Sequence, residues 1–144
     1  MRPGGAELMK SLAVIVSGGS TNNLIQVLTP LMAAVHSDLR VRVLFRDESV
    51  ARLQPGRINA LEWSGGTADA AAVEQRLAKH DLRDLHKLCR DIKASGDVKY
   101  YACSSSLALA GLKAGDLIPE IDEVRGLPAF LLEDVAAADK VLTF

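Results

Sequence analysis

Cys103 is followed by Ser104-Ser105-Ser106 and preceded by the apolar run Val98-Lys99-Tyr100-Tyr101-Ala102. This pattern predicts a buried strand that delivers a thiol to the first turn of a helix. A sulfur atom there meets backbone N–H groups without intrahelical acceptors and the positive end of the helix dipole, so its pKa falls and its thiolate fraction rises. The thiolate is the nucleophilic form, which makes Cys103 the candidate reactive residue. The competing reading is a small apolar residue packed where strand meets helix. Three consecutive serines cap a helix well and pack a core poorly, which favours the reactive reading.

A second polar segment, Ser17-Gly18-Gly19-Ser20-Thr21-Asn22-Asn23, follows the apolar run Leu12–Val16. Its glycines, hydroxyls, amides and helix start can hold an anion such as phosphate, a sulfur oxyanion or a thiolate. It lacks the Walker lysine and does not satisfy G-x-G-x-x-G, so a well-capped tight turn is an equal alternative. Asp47 and Glu48 close a second apolar run, where they contact a ligand, tune a thiol, or simply form the solvated cap of the next helix. His36, His80 and His86 are too scattered to build a zinc site with two cysteines, and His80 and His86 read as solvated helix residues. No metal and no cofactor are expected. Cys89 lies at helical spacing from Leu85, Leu88 and Ile92 and reads as core.

The elements that must position these residues alternate between strand and helix. Strands are predicted over 12–16, 41–45, 98–102, 123–125 and 141–144. Helices are predicted after the Ser17-Gly18-Gly19-Ser20 turn through the stripe Leu24, Val27, Leu28, Leu31, Met32 and Val35, from Thr67, from Asp81, over Ser104–Ala110, and from Pro128 with Phe130, Leu131 and Val135 inward. Residues 49–66, with the only tryptophan, Trp63, read as a short helix and an irregular excursion. Such alternation predicts a doubly wound α/β sheet, whose function gathers at the carboxyl ends of the strands. Ser17–Asn23, Arg46–Ser49 and Cys103–Ser106 all emerge there, on one expected crevice.

Composition narrows the classes. A chain of 144 residues with 49% apolar residues and a net charge of −1 fits one domain over 11–144, with no electrostatic bias toward nucleic acid. Two cysteines spaced 14 apart form neither a C-x-x-C pair nor a disulfide framework, which suits a reducing cytoplasm. Leu12–Val16 is too short for a membrane span or signal core, so no membrane association is expected. Met1–Lys10 is expected to fray, with Met9 an alternative start.

From Cys103 onward the order Tyr-Ala-Cys-Ser-Ser-Ser, Gly111-Leu-Lys, Asp116-Leu-Ile, Gly126, an apolar helix and a terminal Val-Leu-Thr-Phe resembles the DsrE/DsrF/DsrH-like sulfur-relay family, in particular its soluble branch labelled as peroxiredoxin-family proteins. The Leu12–Val16 strand with its Ser17-Gly18 turn agrees more loosely. The resemblance implies a three-layer α/β/α domain with a mostly parallel five-stranded sheet, assembled as a homo-oligomer, a trimer or a multiple of it. It also implies a sulfurtransferase-like carrier, with Cys103 at the position of the cysteine that bears a persulfide or sulfur-oxyanion adduct and passes it to a partner thiol. Gly19-Ser20-Thr21-Asn22 and residues 49–66 depart from the pattern of relatives, so donor and acceptor do not carry over. Two alternatives stand beside this reading: a flavodoxin-like module holding a flavin or nucleotide phosphate on Ser17–Asn23, and an inactive structural subunit of a sulfur-relay oligomer.

Overall fold

The computed structural model describes residues 8–67 and 69–144; most of the N-terminal stretch expected to fray lies outside them. Five strands, β1 Ser11–Val16, β2 Arg40–Phe45, β3 Val98–Cys103, β4 Glu123–Arg125 and β5 Lys140–Thr143, form one sheet in the order β4-β3-β2-β1-β5. Every neighbouring pair is parallel, so the sheet is wholly rather than mostly parallel. The β-branched runs predicted as strands are strands because a parallel sheet covered by helices selects near-continuous apolar sequence.

Side chains alternate across the sheet with a period of two, and this divides the core. Leu12, Val14, Val16, Val41, Val43, Phe45, Val98, Tyr100 and Ala102 share the face that packs on α1 (Thr21–His36), α2 (Glu48–Arg52), α4 (Leu85–Ser95) and α5 (Ser104–Ala110). The opposite face carries Ala13, Leu44, Tyr101 and Cys103, closed by Phe130 with Leu127, Val135 and Ala138 packed around it. That cover comes from α6 (Leu127–Ala129), which holds Pro128 in its first turn and widens into a π-helical run over Phe130–Val135. One face is therefore thick and the other thin.

α1 runs unbroken through Pro30, and its predicted apolar stripe is buried except at Met32, which is partly buried. Two helix starts differ from expectation. The helix predicted from Thr67 is α3, Ala70–Lys79, capped by Asp69; the one predicted from Asp81 is α4, capped by Asp84. In both, an aspartate nearer the helix accepts a free first-turn N–H, from Ala72 and from Lys87, and so outcompetes the earlier residue. Leu131, predicted inward, is 44% exposed, because the π-helical widening turns Phe130 alone fully into the core.

Phe130 is the large side chain that seals the thin face, and its ring meets Tyr101 edge-on at 6.1 Å. Phe130→Ala is expected to cost about 3–5 kcal/mol in urea unfolding and to speed alkylation of Cys103 by a neutral reagent. A cost below about 1 kcal/mol would show that the thin face does not rest on this ring.

Candidate functional site

Cys103 ends β3 and occupies the cap position of α5 with extended backbone, φ −67° and ψ 126°. The predicted serine cap is thus displaced by one residue: the cysteine takes the cap position and makes no side-chain capping bond, while the serines form the first turn. Its side chain is 1% exposed, yet Ser104 and Ser105 next to it are exposed, so the sulfur lies one layer beneath the surface. Sγ is 3.3 Å from Ser105 Oγ. Burial pushes the thiol pKa up, but the Ser105 hydroxyl, the Ser106 N–H and hydroxyl, and the Ser105 N–H together outweigh it and hold the thiol below its ordinary value. Cys89 is the opposite case. Burial pushes its pKa up to about 12, with Glu120 adding to the shift, and it sits in the thick-face core as predicted.

Hydrogen bonds stitch the carboxyl ends of β1, β2 and β3 together. The N–H of Arg46 donates to Val16 O at 2.8 Å, that of Ser49 to Ser17 O at 3.1 Å, and that of Asp47 to Ser106 Oγ at 2.8 Å. Ser49 Oγ donates to Val16 O at 2.8 Å. Gly19 is required by this closeness, since a Cβ there would stand 2.8 Å from Glu48 O. Asp47 takes a positive φ of 52°, and both Asp47 and Glu48 are exposed.

The three loops meet, and the first two share a cavity, which Glu48 lines with Gly18–Ser20, but Cys103–Ser106 does not line it. The predicted anion-binding side chains of the first loop are already engaged: Ser20 Oγ accepts from Asn23 N–H at 3.2 Å, and Asn23 Nδ2 donates to Gly18 O at 2.8 Å. Asn22 Nδ2 donates to Ser64 Oγ at 2.8 Å while its Oδ1 accepts from Ser64 N–H at 3.1 Å. Gly18, Gly19 and Ser20 line a cavity of about 500 Å³ together with Arg52, Arg57, Glu62 and Trp63, and Cys103 is not among its lining residues. The physical reason is the period-two alternation. The β1–α1 loop turns onto the thick face, whereas Cys103 projects to the thin one.

Arg52 builds that cavity. Its guanidinium, fully buried, donates to Gly19 O at 2.6 Å, Ala60 O at 2.6 Å and Ile58 O at 3.2 Å, pinning residues 58–60 to the first loop. Arg57 grips Glu62 through two bonds of 2.8 and 2.7 Å and holds its carboxyl below the usual range, against the opposing effect of burial. Trp63, which in sequence stood apart from every strand-end loop, is a wall of the cavity.

Sequence reasoning placed Arg46–Ser49 among the strand-end loops but gave neither Arg46 nor Arg125 a role at the site. Arg125 pairs in register with Cys103 across β3 and β4. Its guanidinium lies 5.1 Å over the Tyr101 ring and is matched by Glu123, Glu133 and Asp134. Phe45 pairs with Ala102, and the Arg46 N–H continues the ladder to β1, so the register extended by one step aligns Arg46 with Cys103 and parity assigns it the same face. The signal was the matching parity of Leu44 and Arg46, usable only once register is known. His86, read as solvated, instead meets Glu120 at 2.9 Å; His80 is exposed at the end of α3. Among the described residues no group of three or more His, Cys, Asp or Glu could hold a metal ion, and no helix is long and apolar enough to cross a membrane.

A solved structure of a protein of unknown function from Methanobacterium thermoautotrophicum is similar over 94% of this chain and 99% of that chain, with a TM-score of 0.50 at 17% identity, which shows a shared fold. No curated protein matches the chain. The model of the DsrE/DsrF-like family matches residues 10–144, from the start of β1 through Cys103 to the last strand. The chain belongs to the DsrE/DsrF-like family.

Proposed function

We propose that this protein is a sulfur carrier that loads and releases sulfane sulfur on Cys103. Family membership suggests a sulfur-relay-related function. The observation that carries the finer reading is the set of Ser105 and Ser106 donors that lowers the Cys103 pKa against the effect of burial. In loading, the Cys103 thiolate attacks the outer sulfur of a donor hydropersulfide, R–S–SH. The new S–S bond forms as the old one breaks, and the donor leaves as R–S⁻. In release, a partner protein thiolate attacks the outer sulfur of Cys103–S–SH, and the Cys103 thiolate departs. Each step exchanges one S–S bond for another and needs no oxidant or reductant. The Ser105 and Ser106 donors stabilise the sulfur anion that is consumed in the first step and regenerated in the second.

Incubation with a low-molecular-weight hydropersulfide is expected to add one sulfur to the intact mass, located by peptide mapping to Cys103. Cys103→Ser abolishes the gain, and Cys89→Ala leaves it unchanged. Sulfur that persists in Cys103→Ser protein refutes the carrier reading.

The pH dependence of Cys103 alkylation follows from the direction of its shift. Reactivity rises as the thiolate forms, so a lowered pKa places the midpoint of the rate profile below that of a free thiol. Ser105→Ala removes the hydroxyl 3.3 Å from Sγ and moves the midpoint upward. A wild-type midpoint at or above the free-thiol value would contradict the assignment.

A second reading concerns the cavity rather than the thiol. The indole of Trp63 shares that cavity with Gly18–Ser20 and Arg57, which supports a planar anion such as a mononucleotide or flavin phosphate stacked on the ring. Trp63 is the only tryptophan, so its fluorescence reports the site directly. Saturable quenching by a flavin mononucleotide or adenosine monophosphate, lost in Arg57→Ala, is the expected result; a flat titration to millimolar ligand discards this reading.

A further inference from the structure

We propose that Arg46 binds the anionic outer sulfur that Cys103 carries; this rests on Cys103 being the sulfur-bearing residue. The first observation is position. Cys103 pairs with Arg125 on one side, and the β2–β3 register, extended one step past Phe45 and Ala102, sets Arg46 on the other; strand parity then assigns Arg46 to the thin face that carries Cys103. Neighbouring strands lie about 4.8 Å apart, so the arginine backbone is one strand spacing from that of the cysteine. Its own backbone is held firmly: the N–H donates to Val16 O, and the carbonyl accepts from the Ser49 N–H and hydroxyl.

The second observation is charge without compensation. Of the arginines that are not exposed, Arg42 is paired with Asp97, Arg52 with Glu62, and Arg125 with three carboxylates. Among the described residues Arg46 has no carboxylate partner, and its Nε, like that of Arg52, is buried without a hydrogen-bond partner. Partial burial of an unpaired cation is unfavourable, and an arriving anion removes the cost. The neighbouring Asp47 and Glu48 are exposed and make no salt bridge to it. Arg125, already opposed by three acids, has little charge left to offer an anion on Cys103.

The chemistry at Cys103 supplies that anion. After sulfur transfer, R–S⁻ takes the proton of Cys103–S–SH, leaving R–SH and Cys103–S–S⁻, with the outer sulfur charged. A planar guanidinium beside it stabilises this loaded state by charge-assisted hydrogen bonding and biases the site toward reagents that bring negative charge to the thiol.

The test compares two alkylating reagents of similar size, iodoacetate, which is anionic, and iodoacetamide, which is neutral. Both react with the same thiolate, so the ratio of their rate constants at Cys103 cancels the thiol pKa and any general loosening of the fold. Arg46→Met is expected to lower the iodoacetate-to-iodoacetamide ratio about tenfold, and Arg46→Lys to retain most of it. High salt should shrink the wild-type ratio toward that of Arg46→Met. The equilibrium fraction of sulfur-loaded protein should fall several-fold in Arg46→Met and recover in Arg46→Lys. An unchanged ratio in Arg46→Met overturns the role of Arg46 even if sulfur loads normally. A wild-type protein that accepts no sulfur overturns the carrier reading on which the role rests, whatever the ratio.

Discussion

The in-register parallel ladder from β1 to β4 governs the arrangement of the rest of the molecule. Parallel strands deliver their carboxyl ends to one edge of the sheet, so every loop that leaves a strand there meets its neighbours. The bonds from Arg46 to Val16, from Ser49 to Ser17 and from Asp47 to Ser106 are consequences of that shared level. The same ladder dictates faces. Because side chains alternate, residues paired across strands share a side, and the parity of a single position decides whether it looks at the thick helical layer or the thin one.

That division separates two polar environments that the chain carries at the same edge. On the thick side, Arg52 is buried only because three carbonyls and a nearby carboxylate receive it, and its grip folds residues 58–64 over the start of α1. In this network Glu62 balances two guanidiniums. On the thin side the balance is incomplete. Arg125 is matched by acids and Arg46 is not, while a thiol whose pKa is held below its ordinary value stands in the row between them.

The two cysteines show how environment rather than residue type sets reactivity. Cys89 lies in the apolar core, where burial and the charge of Glu120 outweigh the favourable charge of Arg90 and disfavour its anion. Cys103 is as well covered as Cys89, but its cover is one layer deep and includes the hydrogen-bond donors of the first turn of α5. Phe130 completes that cover from a π-helical segment, so access to the thiol and stability of the thin face are controlled by the same ring.

Cys103 at a strand-to-helix junction, the core role of Cys89, the amphipathic α1 and the alternation of strand and helix were all legible in the sequence, because each depends on neighbours within a few residues and on the periods of the two regular structures. Helix starts at Asp69 and Asp84 were misplaced because several nearby residues can cap a helix and only the folded backbone selects one. The cavity was hidden for a different reason. Gly18 and Trp63 are far apart in the chain, and the buried Arg52 that joins their segments looks in sequence like any charged helix residue. That Arg46–Ser49 and Cys103–Ser106 emerge at one edge was legible, but the alignment of Arg46 with Cys103 was not, since period two fixes parity within a strand and only hydrogen-bonded register aligns one strand with the next. Local chemistry, then, was determined by the sequence alone. Which charges stand beside the thiol, and which loop turns away from it, only the tertiary structure decided, because both depend on the pairing of segments distant in the chain.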